Sequence, residues 1–221
     1  IAVLKYSSYT AAGWLSYTVD DTPGTDSGLY TSIKINSAGL RHIVYGSWNG
    51  ADYDLKISTK MAVGWSTSTI VSAGSAGTYC SLAIDPPGDM HVSYQDVTPG
   101  NLKYIKRLAG AWQSEVVVDN SIGTGALWSS IGLDYNNYPH ISYYDILNTD
   151  LKYAQYTGSW STQTVWGSGS VVGEYSSIYL QNFPSSSTVN IACYNSTLGD
   201  AIAFKTQIPE SNIWNSVVNG N

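Results

Sequence analysis

The three histidines of the chain are evenly spaced, because His42, His91 and His140 are separated by 49 residues in each interval. Imidazole rings that converge on one point bind zinc or copper. Even spacing instead gives each ring the same place in successive repeats, and the fourth repeat carries Asn190 there. Asn also donates and accepts hydrogen bonds. We therefore interpret this position as a hydrogen-bonding site at the start of a strand, with a metal site as the alternative.

Carboxylates recur in the same repeats. Asp96 and Asp145 end one repeated segment, and Asp150 begins the next. Such oxygen ligands could bind calcium, and paired carboxylates could cleave a glycosidic bond. Glu174, which departs from the repeat, is a further carboxylate that could be functional. Because Asp, Asn and Ser exchange at the repeated positions, we expect turn capping. The sequence thus predicts no catalytic residue and no cofactor, with calcium as the alternative.

Six aromatic residues depart from the repeat and fall in or beside predicted loops, where binding residues concentrate. Flat rings beside Asn and Asp side chains suit a carbohydrate ligand, because a ring presents an apolar face while its neighbours supply hydrogen bonds. The predicted ligand-binding residues are Trp48, Tyr53, Tyr135, Tyr138, Tyr144 and Trp166.

These residues are carried by a repeat of about 47–50 residues that contains four short segments, here called a, b, c and d. Segment a begins with an aromatic residue, as in Tyr30-Thr-Ser-Ile, and segment b begins with His in three copies. Segment c reads Leu-Lys-Tyr, and segment d begins with Trp. Each segment is rich in Val, Ile, Tyr and Thr and is bounded by Gly, Asn, Asp or Pro, which is typical of strands. The five Trp residues that begin segment d are expected to pack between neighbouring repeats: Trp14, Trp65, Trp112, Trp160 and Trp214.

Four short strands in each repeat predict an all-β protein, a β-propeller of four-stranded blades with almost no helix. The predicted single domain contains an N-terminal half-blade over 1–28 and full blades over 29–77, 78–125, 126–173 and 174–221. The half-blade supplies only segments c and d. We expect a longer parent chain or a neighbouring chain to complete it, and an open strand edge favours self-association. The alternative is a ring that closes imperfectly, with one two-stranded blade.

The amino-acid composition limits which classes of binding partner and which location are expected. The net charge of −6 and the ten dispersed Lys and Arg residues argue against nucleic acid. No apolar run approaches the roughly 20 residues of a membrane span. Few charges among many Tyr, Ser and Gly residues favour an extracellular or cell-surface protein. Cys80 and Cys193 lie two blades apart, so we expect buried free thiols and no disulfide.

The pattern from Ser129 to Trp160 resembles repeats of bacterial and archaeal extracellular propeller proteins of the sialidase-like (BNR) type. It reads Ser-Ser-Ile-x-Leu-Asp, Pro-His-Ile-Ser-Tyr-Tyr-Asp, Asp-Leu-Lys-Tyr-Ala and Gly-Ser-Trp. The resemblance implies the fold alone. Sialidase chemistry uses an arginine triad, whereas this chain has only Arg41 and Arg107.

Repetition favours binding over catalysis, because repeated surfaces suit multivalent recognition. We predict a secreted non-enzymatic recognition protein, lectin-like and specific for a glycan or surface polymer. The alternative is a structural protein of a surface layer or filament that assembles through the incomplete blade. A glycan-cleaving enzyme is the third class.

Overall fold

The computed structural model describes residues 2–123, 126–167, 169–208 and 215–217, and within these ranges every regular element is a β-strand. Each sheet pairs consecutive strands antiparallel. The half-blade holds β1 (Leu4–Thr10) and β2 (Gly13–Asp20). Blade 1 holds β3 (Asp26–Ile35), β4 (Arg41–Trp48), β5 (Tyr53–Lys60) and β6 (Trp65–Val71).

Blade 2 has an interrupted outer strand. It holds β7 (Ala76–Ile84), β8 (Met90–Asp96) and β9 (Asn101–Leu108), and β9 pairs with both β10 (Ala111–Trp112) and β11 (Val116–Asp119). Blade 3 holds β12 (Ala126–Leu133), β13 (Pro139–Asp145), β14 (Asp150–Tyr156) and β15 (Trp160–Trp166). Blade 4 holds β16 (Val172–Phe183), β17 (Ser186–Asn195), β18 (Asp200–Ile208) and β19 (Asn215–Val217).

The first strands of the blades, β3, β7, β12 and β16, pack against one another in succession. They are the inner strands of a β-propeller, so the predicted fold is confirmed. The apolar core lies between neighbouring blades rather than within any one of them. Leu82, Ile131 and Ile178 on the inner strands are only 0, 4 and 8 % exposed, because each packs against the preceding blade.

A repeated Ser joins the inner strands across this core. Its hydroxyl lies two residues after the aromatic residue of segment a and accepts a hydrogen bond from a backbone N–H of the next blade. The three bonds are Leu82 N to Ser32 Oγ, Ile131 N to Ser81 Oγ and Ile178 N to Ser130 Oγ, at 3.1–3.2 Å. Inner strands of different blades do not pair through their backbones, so the Ser side chain replaces that pairing.

Side-chain caps end the inner strands. The Oδ1 atoms of Asn36, Asp85 and Asp134 accept backbone N–H groups two to four residues further on, at 2.7–3.1 Å. In these a–b turns a side chain therefore caps its own backbone, which is typical of Asn and Asp in turns.

The three histidines form hydrogen bonds across their own sheets. Each ring is at most 3 % exposed. Their Nδ1 atoms lie 3.0 Å from Thr59 Oγ1, 2.8 Å from Tyr104 OH and 2.5 Å from Tyr153 OH. This confirms the hydrogen-bonding interpretation of the repeated position.

The tryptophans that begin the outer strands mostly pack between blades, as predicted. Trp65, Trp112 and Trp160 each contact an interblade core cluster. Trp14 was predicted wrongly, because it is 72 % exposed and contacts Tyr9 of its own hairpin. The half-blade has no preceding blade among the described residues against which this ring could pack. Trp214 lies outside the described residues.

A buried acid–Tyr–Lys group joins the half-blade to blade 1 and blade 2 to blade 3. Asp119, at the end of β11, accepts hydrogen bonds from Tyr143 OH and Lys152 Nζ of blade 3, both at 2.6 Å. Asp20 Oδ2 likewise accepts a hydrogen bond from Tyr45 OH at 2.7 Å and lies 3.6 Å from Lys56 Nζ.

Blade 2 completes its own group differently, because Val71 of blade 1 takes the place of the acid. Glu115, which lies within the interruption of the outer strand, accepts a hydrogen bond from the Tyr94 hydroxyl and lies 3.0 Å from Lys103 Nζ. The interruption between β10 and β11 thus supplies a carboxylate from within the blade.

Blade 4 replaces the whole group with apolar side chains. Its register pairs Asn195 with Asp200 and Cys193 with Ile202, so Ile202 lies where Lys152 lies in blade 3. Trp166, Cys193 and Ile202 all belong to the core between blades 3 and 4. Both Cys80 and Cys193 are buried and free, as predicted.

Candidate functional site

The six predicted binding aromatics divide into three groups. Trp48 and Tyr53 face each other across the β4–β5 hairpin, with ring centroids 4.9 Å apart. Tyr135 and Tyr138 lie at the opposite end of the strands, on the β12–β13 turn, and are 36 % and 40 % exposed.

The remaining two aromatics lie near the end of a strand, beside a loop, but Tyr144 is buried and Trp166 is partly buried. Tyr144 lies within β13 and is 5 % exposed. Trp166 ends β15 and packs on Phe204, with ring centroids 5.6 Å apart. Trp166 packs there because it occupies the position that Asp20 and Asp119 hold at the ends of β2 and β11.

Two of the three calcium candidates, Asp145 and Asp150, lie opposite each other across β13 and β14, and Asp96 lies in blade 2. Asp96 Oδ2 forms an ion pair with Lys103 Nζ at 2.6 Å. Asp145 caps the β13–β14 turn through the backbone N–H of Leu147 at 3.0 Å. Asp150 begins β14, and burial followed by the nearby Asp145 carboxylate raises its pKa. Within the described ranges, no three His, Cys, Asp or Glu side chains are grouped as metal ligands.

A cavity of about 720 Å³ opens between blades 2 and 3, at the end of the strands that carries Tyr138. We call it the interblade cavity. Cavities of this size suit small ligands. Its aromatic lining is Tyr104, Tyr138, Tyr156 and Trp160, and its polar lining includes Asp85, His91, Lys106, Asn136 and Asn137. Tyr135, three residues before Tyr138, does not line it.

The four rings form one continuous aromatic wall. Tyr138 meets Tyr156 at 6.0 Å, Tyr156 meets Trp160 at 5.6 Å, and Trp160 meets Tyr104 at 5.1 Å, all edge to face. Edge-to-face contacts stabilise such clusters and leave ring faces available. Trp160 and Tyr104 also belong to the core between the two blades, so the inner part of the wall is rigid.

His91 is the buried polar group of the interblade cavity. Its ring is 1 % exposed, and its Nε2 lies 3.6 Å from Asp85 Oδ2 without a hydrogen bond. Burial, followed by the positive charge of Lys106, lowers the pKa of His91 to about 4, so the ring is neutral near pH 7. The Asp85 carboxylate favours the tautomer with its proton on Nε2, so that Tyr104 OH donates to Nδ1. The cavity thus combines an aromatic wall with a polar rim and one positive charge, Lys106.

A second aromatic surface surrounds the inner strands at the opposite end. Its four residues begin segment a in each blade, and successive ring centroids lie 4.3, 5.5 and 4.8 Å apart. We call it the inner aromatic arc: Tyr30, Tyr79, Trp128 and Tyr175. Trp48 and Tyr53 extend it through the contact between Tyr53 and Tyr30, and Tyr144 contacts Trp128.

All four residues of the arc have a left-handed backbone, with φ between 50° and 54°. Bulky aromatic residues rarely adopt this conformation. It occurs where the inner strand bulges out of register with its partner, and the hydroxyl of Ser129 and that of Ser176 anchor the Tyr79 and Trp128 carbonyl groups from the next blade. Such strain concentrates at functional sites.

Sequence reasoning missed Tyr104 and Trp160 as cavity residues because each occupies a repeat position and reads as core. It also missed Tyr156, whose counterparts in blades 1 and 2 are Lys60 and Arg107. The signal available was Lys106, since the Lys-Arg pair at 106–107 has no counterpart in the other copies. The arc residues were visible as the constant first residue of segment a, but their common orientation depends on the bulge.

No protein-family model matches the sequence, and no curated protein matches it. Solved structures do. The catalytic domain of a GH62 α-L-arabinofuranosidase from Coprinopsis cinerea is 13 % identical, with 91 % of this chain and 71 % of that chain covered and a TM-score of 0.58. The Aleuria aurantia lectin, solved with Fucα1-6GlcNAc, is 15 % identical over 98 % of this chain and 70 % of that chain, with a TM-score of 0.59.

A protein of unknown function from Dyadobacter fermentans is 11 % identical, with a TM-score of 0.61, and the match covers 82 % of this chain and 54 % of that chain. At such low identity these likenesses show the fold alone, and they include both lectins and glycoside-cleaving enzymes. Among the described residues, no helix is both long and apolar enough to cross a membrane. The chain therefore shares the β-propeller fold of carbohydrate-binding and carbohydrate-cleaving proteins.

Proposed function

We propose that the protein is a carbohydrate-recognition protein that binds a short glycan in the interblade cavity. The observation that carries the proposal is the aromatic wall of Tyr138, Tyr156, Trp160 and Tyr104 inside a cavity with a polar rim. The C–H face of a sugar ring packs on an aromatic face, and its hydroxyl groups hydrogen-bond to side chains such as Asn136 and Lys106.

The proposal does not require catalysis. A glycosidase needs an acid and a second carboxylate about 5–10 Å apart on either side of the bond. Among the described residues that line the interblade cavity, Asp85 is the one carboxylate, and it accepts hydrogen bonds from backbone N–H groups of its own turn. We also propose an extracellular or cell-surface location, in keeping with the low content of charged residues.

A glycan array, extended by titration calorimetry, tests binding. L-fucosides and L-arabinofuranosides belong in the first panel because proteins of the same fold act on or bind them. Tyr138→Ala should weaken binding about tenfold or more, since it removes one stacking face and its buried area. Tyr135→Ala is the matched control, because this Tyr lies on the same turn but outside the cavity.

Unchanged binding by Tyr138→Ala would refute the assignment to the interblade cavity. If Trp48→Ala abolished binding instead, the ligand would occupy the inner aromatic arc. If the protein released reducing sugar from a bound polymer, and Glu174→Gln or Asp145→Asn abolished that release, the function would be cleavage rather than recognition. A repeat of the array with calcium chelated tests the calcium alternative at Asp96, Asp145 and Asp150.

A further inference from the structure

The junction between the half-blade and blade 1 differs from the three other blade junctions. In those three, the inner two strands of one blade cover the inner strand of the next, and they leave Leu82, Ile131 and Ile178 almost unexposed. The half-blade has only β1 and β2, which correspond to the outer two strands c and d. Among the described residues, the inner strand of blade 1 therefore lacks this cover.

Exposed apolar side chains mark the uncovered position. Ile33 is the counterpart of Leu82, Ile131 and Ile178, yet it is 45 % exposed, and Ile35 is 61 % exposed. A groove of about 390 Å³ lies beside them, between β1 and β3. Its lining includes Leu4, Tyr6, Gly28, Thr31, Ile33 and Ile43.

The hydrogen-bonding groups around this groove are also open. The backbone N–H of Ile33 corresponds to that of Leu82, which donates to Ser32 of the preceding blade, and the described residues hold no such Ser for Ile33. In every full blade strand c pairs with strand b, but β1 pairs only with β2. One edge of β1 is therefore free among the described strands, and an unpaired edge accepts another strand.

Lys5 adds a side chain that matches the same missing strand. In blades 1, 2 and 3, the corresponding Lys lies directly opposite a Tyr of strand b. These lysines are largely buried there, and they contact an acid. Lys5 is exposed and forms no ion pair with the described residues.

We propose that this groove binds a β-hairpin that carries the same a–b sequence pattern as the blades of this chain. Its second strand would pair antiparallel with the free edge of β1 and place a Tyr opposite Lys5. Its first strand would cover Ile33 and offer a Ser hydroxyl to the Ile33 N–H. Strand addition of this kind draws affinity from backbone hydrogen bonds and specificity from alternate side chains. The site continues an interface that the molecule already forms three times.

A synthetic peptide with the sequence of residues 126–145, the inner hairpin of blade 3, is the probe. Fluorescence anisotropy with the labelled peptide and the full chain should show saturable binding with a 1:1 stoichiometry. Hydrogen exchange followed by mass spectrometry should show new protection of β1. Changing Ser130 to Ala in the peptide should weaken binding about fivefold, the effect of one hydrogen bond.

Ile33→Asp in the protein should abolish peptide binding, and its thermal unfolding should match that of the wild type because the residue is exposed. Val63→Asp is the matched control, since Val63 is 92 % exposed and lies on the β5–β6 turn. Equal binding by wild type and Ile33→Asp would overturn the proposal, as would absence of binding. Protection of β1 that rises with protein concentration, without peptide, would show that a second copy occupies the groove and would also overturn it.

Discussion

Removing only the carboxylate of Asp119 should destabilise the protein more than replacing Asp119, Tyr143 and Lys152 together by apolar side chains. Asp119 accepts hydrogen bonds from Lys152 Nζ and Tyr143 OH at 2.6 Å, and the three residues are at most 9 % exposed. Burial alone would raise the pKa of Asp119, but hydrogen bonds from Lys152, Ser121 and Tyr143 outweigh it and hold the pKa below its usual value. The carboxylate is thus charged and paired at neutral pH.

Asp119→Ala leaves the ammonium group of Lys152 buried, with Asp145 3.9 Å away as its remaining acid. Loss of one partner from a buried ion pair costs about 3–5 kcal/mol. Because Asp145 retains part of the attraction, we expect the lower end, about 3 kcal/mol. The triple variant Asp119→Leu, Tyr143→Phe, Lys152→Met should lie within about 1–2 kcal/mol of the wild type, since apolar replacement of a whole buried group is often neutral.

The junction between blades 3 and 4 supports this expectation, because it already holds Trp166, Cys193 and Ile202 at the three positions. Urea unfolding followed by Trp fluorescence gives the free energies of unfolding. Lys34→Met, at an exposed lysine, is the control and should change stability by less than about 0.5 kcal/mol. The reasoning fails if the triple variant is destabilised as much as Asp119→Ala, or if Asp119→Ala is neutral.

Three further predictions follow from single residues. Burial alone would raise the pKa of Asp20, but hydrogen bonds from Thr22, Tyr45 and Ser27 lower it to about 2. A carboxyl whose pKa is lower in the folded protein stabilises the folded state above its unfolded pKa of 3.8. Stability on the order of 2 kcal/mol should therefore be lost as the pH falls from about 4 to 2. Urea titrations at each pH should show a smaller loss for Asp20→Asn. Burial raises the pKa of Cys80 to about 12 and that of Cys193 to about 11, so neither thiol should react with Ellman's reagent before urea unfolds the protein; rapid reaction in buffer would contradict this. Gly173→Ala should destabilise the protein by about 1–3 kcal/mol, because φ is +115° and the new Cβ would lie 2.9 Å from Leu151 Cα. Gly167→Ala is the control in the same thermal scan. Gly167 has an ordinary φ but lies near the Asp150 carboxylate, so this variant separates crowding from backbone strain.

Only part of the binding site was predictable from the sequence. Tyr138 was identified because it departs from the repeat and lies in a turn. Tyr135 was identified by the same criterion, and the structure places it outside the interblade cavity. A one-dimensional pattern cannot separate them, because neighbouring turn residues point to different sides and the partner wall belongs to another blade.

The sequence alone determined the strands, their turns, the histidine positions and the propeller architecture. These follow from a period, and a repeated environment selects the same residue types in every copy. The tertiary structure decided where the symmetry breaks. It places Trp160 of blade 3 against Tyr104 of blade 2, it fills the buried group of blade 4 with Trp166, and it leaves Ile33 uncovered. Each of these outcomes depends on which side chains the adjacent blade presents, and contacts between residues about 50 positions apart are not encoded in the local pattern of either segment.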